Sequence, residues 1–139
     1  MSDPSVHTVG EFMNARPVTV RDTAPLSLAA RVLDEHHIHG LPVVDAGGTV
    51  VGVLSQTDLV RARATEHLWA SWPGLAVKHL MTSPALTCPV DTPISQAIGL
   101  MELNHVHRLI VVDEATRRPV GVFSTSDVIH LLAGATIDA

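Results

Sequence analysis

The sequence contains one cysteine, one lysine, no tyrosine and no long apolar run. With Cys88 alone, no disulfide can form within the chain, which is typical of a reducing compartment. The aromatic content is 3%, which leaves few side chains to stack on single-stranded nucleic acid. Apolar runs such as 109–112 fall far short of the roughly 18 residues of a membrane span. Because no secretory signal opens the chain either, we expect a cytoplasmic protein with no membrane and no nucleic-acid partner.

Apolar residues, by contrast, are plentiful. Hydrophobic residues make up 46% of the chain and charged residues 17%, which excludes a disordered chain because burial can offset the entropy of ordering. The length of 139 residues allows one compact domain or two very small ones. The net charge of −5 opposes the binding of DNA and RNA. Eight of the nine basic residues are arginine, which suits local contacts with a phosphate.

The sequence contains two copies of one motif, offset by 68 residues and then by 69, because the second copy has one extra residue in its middle turn. Agreement at so many positions is the pattern of a tandem duplication. The matched pairs include Val9/Val77, Met13/Met81, Pro25/Pro93, Ala29/Ala97, His37/His105, His39/His107, Leu41/Leu109, Ser55/Ser124 and Asp58/Asp127.

Each copy predicts the element order β-α-β-β-α, and therefore an α/β or α+β fold with helices layered on short sheets. Pro25 and Pro93 each suit the first turn of a helix. The other predicted elements are strands at 18–20, 41–45 and 50–54 with a helix opening near Ser55, and strands at 86–88, 109–113 and 120–123 with a helix opening near Ser124.

These elements divide the chain into two repeats, a linker and two flexible ends. Neither repeat is long enough to bury a good core alone, so we expect the two to pack as one domain. Trp69 and Trp72 either cap that core or mark a contact surface. The predicted bounds are 9–68 for repeat 1, 69–76 for the linker, 77–134 for repeat 2, and 1–8 and 135–139 for the ends.

Four segments carry a resemblance to a known family. They are HGLPVVD at 39–45, VGVLSQTD at 51–58, HRLIVVDE at 107–114 and VGVFSTSD at 120–127. With the element order of both copies, they resemble the tandem cystathionine-β-synthase (CBS) domain pair, also called a Bateman module. The resemblance runs from about Val9 to Leu132 and implies a stand-alone pair of pseudo-symmetric CBS repeats packed as one domain.

The resemblance implies a non-catalytic regulatory module that binds AMP, ADP or ATP, or less readily S-adenosylmethionine, between its repeats. The aspartate of the Ser-x-x-Asp motif would accept the ribose hydroxyls, with the serine nearby. His107 and Arg108 are similar to a phosphate-contacting stretch of the family, whereas the first copy has His39 and Gly40 and lacks the arginine. The other implied site residues are Ser55 with Asp58, Ser124 with Asp127, the set Val18, Ile38, Leu86 and Val106 around the adenine, and Val122 and Ser126.

The resemblance also implies a homodimer built on exposed helix faces such as 62–69 and 128–132. Ligand binding would then favour one conformation, which the second copy of the chain or a regulated protein would read. A module that dimerises or acts as a scaffold without any ligand is the alternative.

Two other interpretations of these residues stay open. Ser-x-x-Asp at a helix start is close to a capping box, and a cap can coexist with ligand binding. The nine histidines, among them His36, His37 and His39, could form a metal site, although their spacing matches no standard zinc pattern.

Cys88 beside Pro89 is predicted at a buried strand edge, which favours packing over nucleophilic chemistry. No standard catalytic motif occurs, so we expect no enzyme and no required cofactor or metal.

Overall fold

A computed structural model describes residues 6–64 and 74–138 of the chain. These residues form two compact units. The first unit contains residues 18–64 and 74–85, and the second contains 86–138 together with 6–17. The second unit thus includes the start of the chain, where helix α1 (Val9–Phe12) and strand β1 (Asn14–Ala15) lie.

The described part of the first unit has a three-stranded sheet in the order β2-β3-β4. Strands β2 and β3 are parallel, and β3 and β4 are antiparallel. Its elements are β2 (Val20–Arg21), α2 (Leu26–Glu35), β3 (Gly40–Val44), β4 (Val50–Ser55), α3 (Gln56–Ala64) and a 3-10 turn (Val77–His79).

The described part of the second unit repeats this arrangement and adds β1 to the sheet. Its elements are β5 (Thr87–Pro89), α4 (Ile94–Asn104), β6 (Arg108–Val112), β7 (Pro119–Ser124) and α5 (Thr125–Asp138). The sheet order is β1-β7-β6-β5, with β5 parallel to β6 and the other pairs antiparallel. Helices and sheets in both units give a mixed α+β fold, as the sequence predicts.

Each unit has its own hydrophobic core, built from the same positions of the two copies. Leu26, Ala29 and Leu33 are the buried residues of α2, and their equivalents Ile94, Ala97 and Met101 are buried on α4. Residues three and four apart share a helix face, so each helix covers its sheet with one apolar stripe. Four consecutive residues are buried in β3, at 41–44, and in β6, at 109–112.

The first residues of each sequence copy pack into the core of the other copy. Val9 is fully buried in the core of the second unit, and its equivalent Val77 is fully buried in the core of the first. The Val9 amide donates to the Thr92 carbonyl at 2.9 Å, and the Val77 amide donates to the Ala24 carbonyl at 2.9 Å. Each compact unit therefore takes about nine residues from the start of the other sequence copy. Residues 9–17 belong to the second unit, and residues 77–85 belong to the first.

Several element ends differ from the sequence predictions. Pro25 and Pro93 occupy the N-cap positions of α2 and α4 rather than the first turn, and both have extended backbone ψ angles, 149° and 140°. Helix α5 continues to Asp138, beyond the predicted start of a flexible end at 135. At the other end, the His7 carbonyl accepts from the Ile94 amide at 2.9 Å. The tryptophans of the predicted linker lie outside the described residues.

Candidate functional site

Ser55 and Asp58 form a closed hydrogen-bonded pair where β4 passes into α3. The Ser55 amide and hydroxyl both donate to Asp58 Oδ2, at 2.8 and 2.9 Å. The Asp58 amide donates back to Ser55 Oγ at 3.2 Å. Because this reciprocal pattern satisfies free N–H groups at a helix start, the capping interpretation is correct for the first copy.

The second copy repeats the pair where β7 passes into α5. The Ser124 amide donates to Asp127 Oδ2 at 2.7 Å, and its hydroxyl donates to the same oxygen at 3.2 Å. Both residues are half-buried. The bonds within each copy go to Oδ2, so Oδ1 is the oxygen through which either aspartate can accept from a ligand hydroxyl.

Strand pairing brings the predicted phosphate residues next to these caps. Arg108 is the Cα partner of Ser124 in the β6–β7 pair. In the first unit Gly40 takes the same place opposite Ser55. The structure therefore places a half-buried arginine beside one cap and a glycine beside the other.

His39 precedes β3 and His107 precedes β6, and each accepts a backbone hydrogen bond from the first residue of α3 or α5. The Gln56 amide donates to the His39 carbonyl at 2.8 Å, and the Thr125 amide donates to the His107 carbonyl at 3.0 Å. Gln56 and Thr125 were not singled out from the sequence, and their position directly after the motif serine is the signal that identifies them.

The other predicted site residues are divided between the units, with Leu86, Val122 and Ser126 in the second. Leu86 and Val122 both adjoin Ile110, because the Ile110 amide donates to the Leu86 carbonyl at 3.1 Å and Val122 is the Cα partner of Ile110. Ser126 is exposed in the first turn of α5. Val18 and Ile38 are half-buried and belong to the first unit.

Each unit also has an open groove, of about 390 Å³ between α2 and α3 in the first and about 540 Å³ between α4 and α5 in the second. The nine lining positions are equivalent in the two copies, and they include three consecutive residues before the central strand, 37–39 and 105–107. The grooves take in Ile38, His39 and His107 but neither motif aspartate. The structure thus puts His107 at a groove and Arg108 opposite Ser124.

Metal-ligating side chains do not cluster in residues 6–64 and 74–138. No group of three or more histidine, cysteine, aspartate or glutamate side chains is placed there to hold a metal ion. Cys88 is buried on β5, an edge strand, and burial raises the pKa of its thiol while a hydrogen bond from Thr92 opposes that rise. A raised pKa lowers the share of thiolate, the form that acts as a nucleophile.

Comparison with family models decides the classification. The model of the CBS domain matches twice, at residues 9–65 and 77–134. The chain belongs to the CBS-domain family. Its two matches follow the two sequence copies and identify it as a tandem CBS pair.

Two curated relatives are informative. The chain is 33% identical over 137 residues to the human 5'-AMP-activated protein kinase subunit gamma-3, covering 94% of this chain and 27% of the relative. It is 27% identical over 126 residues to the L-aspartate semialdehyde sulfurtransferase of Methanocaldococcus jannaschii, covering 91% of this chain and 23% of the relative. The CBS pair thus spans about a quarter of the length of these relatives.

Solved structures of CBS pairs have the same fold. One is the CBS domain pair of protein MJ0100 in complex with 5'-methylthioadenosine and S-adenosyl-L-methionine, with a TM-score of 0.83 and 26% identity over 93% of this chain and 98% of that one. Another is CBSX2 in complex with AMP, with a TM-score of 0.79 and 30% identity over 96% and 99%; CBSX2 comes from Arabidopsis thaliana. In the part of the chain that the structure describes, no helix is long and apolar enough to cross a membrane.

Proposed function

We propose that this CBS pair is a non-catalytic regulatory module that binds an adenine nucleotide. The observation that carries the proposal is the placement of Arg108 opposite Ser124, next to the cap that holds Asp127. A carboxylate can accept two ribose hydroxyls, and an arginine can bind a phosphate through two parallel hydrogen bonds. Two solved CBS pairs that share this fold hold AMP or adenosyl compounds.

The arginine favours AMP, ADP or ATP over S-adenosylmethionine. A guanidinium attracts a phosphate and repels the positive sulfonium of S-adenosylmethionine. Helix α5 also begins at this place, and the positive end of a helix dipole favours an anion in the same way. In the first copy Gly40 replaces the arginine, so we assign the stronger phosphate binding to the second copy and adenosine contacts alone to Asp58.

Regulation requires that the nucleotide bind one conformation of the chain more tightly than another. The ligand then shifts the population toward that conformation, by no more than its difference in affinity. A second copy of the chain or a regulated protein would respond to this shift, which makes the module a sensor of adenine nucleotides.

A thermal-unfolding titration of nucleotide-free, metal-free protein tests the proposal. AMP, ADP, ATP, adenosine, S-adenosylmethionine and zinc are the ligands, with GMP as the control for the base. At a hundred times its dissociation constant a ligand adds about 2.7 kcal/mol of stability, which moves the midpoint by several degrees. We expect AMP or ATP to do this and GMP to fail; no shift with any adenosyl compound would instead leave a ligand-free dimerisation module.

A further inference from the structure

Two equivalent turns are capped by side chains of different chemistry. In the second unit the Thr8 amide donates to Glu11 Oε2 at 2.7 Å. In the first unit the equivalent Ala76 amide donates to His79 Nδ1 at 2.8 Å. A carboxylate stays an acceptor at all but acidic pH, whereas Nδ1 accepts only while it carries no proton. The two caps therefore lose their acceptors through protonation of different groups, an imidazole and a carboxylate.

We propose that the 3-10 turn Val77–His79 is a pH-sensitive latch, in which neutral His79 helps to hold the segment 76–85 on the first unit and protonation of His79 makes that segment open more often. The turn itself includes a core residue, because Val77 is fully buried among the side chains of the first unit. Its other bonds are backbone ones, from the Val77 amide to Ala24 and from the Lys78 amide to Asp22, both 2.9 Å.

The charged surroundings of His79 offer no replacement for the lost bond. Lys78 lies on the same turn. Arg21 ends β2 and Asp22 follows it, with Arg21 Nε and Asp22 Oδ1 4.0 Å apart. Among residues 6–64 and 74–138, no carboxylate oxygen lies within 4.0 Å of the His79 ring. A proton on His79 thus removes an acceptor and adds a positive charge beside Lys78.

Opening of the segment 76–85 would also affect β4, an edge strand of the first sheet. Val53 and Thr82 exchange two backbone hydrogen bonds, at 3.0 and 2.9 Å. Ser83 Oγ donates to the Val51 carbonyl at 2.8 Å. These three bonds belong to the segment that the latch holds, so we expect them to open with it.

Amide hydrogen exchange on three proteins tests the latch: the unaltered chain, His79→Gln and His79→Ala. Glutamine at this position keeps an acceptor that does not titrate, and alanine removes the acceptor at every pH. Protection of the Val77, Lys78 and Thr82 amides is measured at about pH 7.5 and pH 5.5 and corrected for intrinsic exchange. The unaltered chain should match His79→Gln at the higher pH and His79→Ala at the lower, a fall of about fivefold to tenfold for one lost cap.

The amides of Val9 and Gly10 are the internal control, because they donate to Thr92 and Val90 in the second unit and should keep their protection. Equal protection of the unaltered chain and His79→Gln at both pH values would overturn the latch. That comparison stands even if His79→Ala does not fold, and it involves no nucleotide.

Discussion

Arg108 and Ser124 are Cα partners across the β6–β7 pair, and the Ser124 amide also donates to Asp127 Oδ2 at 2.7 Å. Backbone pairing and a helix cap thus bring a cationic residue and a carboxylate to the same end of one sheet. The first copy has the same cap but Gly40 in place of the arginine. The carboxylate is therefore present in both copies and the cation in one.

The first prediction concerns the arginine. Arg108→Gln should weaken AMP and ATP binding about tenfold or more, because a hydrogen bond to a charged group contributes roughly 1.5–3 kcal/mol. Adenosine, which has no phosphate, should bind the variant as it binds the unaltered chain. Calorimetric titration measures all three ligands, and Arg118→Gln, on the exposed turn before β7, is the control for charge. Equal losses for all three ligands would remove the phosphate role.

The second prediction contrasts two equivalent glycines. A Cβ on Gly52 would lie 2.7 Å from the Met81 sulfur and 2.8 Å from the Thr82 carbonyl oxygen, whereas the three atoms nearest to a Cβ on Gly121 all belong to the Met13 side chain. A methionine side chain can rearrange and a paired backbone cannot. Gly52→Ala should therefore cost about 1–3 kcal/mol of unfolding free energy and Gly121→Ala clearly less.

Urea unfolding measures both glycine variants, with Gly99→Ala as the matched control. Nothing lies within 4 Å of a Cβ at Gly99, which is on helix α4. Alanine there should raise stability by roughly 0.5–1 kcal/mol through helix propensity. Equal costs at Gly52 and Gly121 would contradict the packing that holds the exchanged segments.

The third prediction concerns the end of helix α4. His105 has a left-handed backbone conformation, with φ 53° and ψ 43°, which disfavours any residue that carries a Cβ. His105→Gly should raise the unfolding free energy by about 1 kcal/mol. The control is His36→Gly at the end of α2, where φ is −94° and glycine should give no gain. A loss of stability in His105→Gly would mean that the imidazole makes a contact that outweighs the backbone cost.

The fourth prediction concerns pH. The Thr8 amide bond, with a smaller contribution from His7, holds the pKa of Glu11 below its ordinary value. A carboxylate with a lowered folded pKa contributes stability above its unfolded pKa and loses it as the pH falls through the folded one. The difference in urea midpoint between the unaltered chain and Glu11→Gln should thus shrink as the pH falls below about 5. A difference that persists unchanged to about pH 3 would contradict the role of the Thr8–Glu11 bond.

Local pattern was enough to predict much of the fold and part of the site. The repeat predicts the element order of both copies, and Ser-x-x-Asp predicts the caps, because a helix cap depends on residues three apart in the chain. The buried position of Cys88 on an edge strand also follows from its apolar neighbours. The left-handed His105 could not be predicted, because glycine or asparagine is the usual signal for that conformation.

The exchange of segments could not be predicted either. Val9 and Val77 match each other in the alignment of the copies, and periodicity shows that each is apolar but not which core it enters. That choice depends on long-range bonds, such as those from Val9 to Thr92 and from Val77 to Ala24. The resemblance implies one phosphate role for His107 and Arg108, and in the structure His107 lines a groove while Arg108 lies opposite Ser124.

The most direct test of the account is calorimetric titration of AMP into the unaltered chain, Asp127→Asn and Glu114→Gln. Asparagine keeps an oxygen that can cap the helix but loses the charge, and Glu114 is an exposed turn residue that controls for one lost negative charge. The account predicts that the unaltered chain and Glu114→Gln bind AMP alike and that Asp127→Asn binds it about tenfold or more weakly. Unchanged AMP affinity in Asp127→Asn would contradict the nucleotide site at the start of α5.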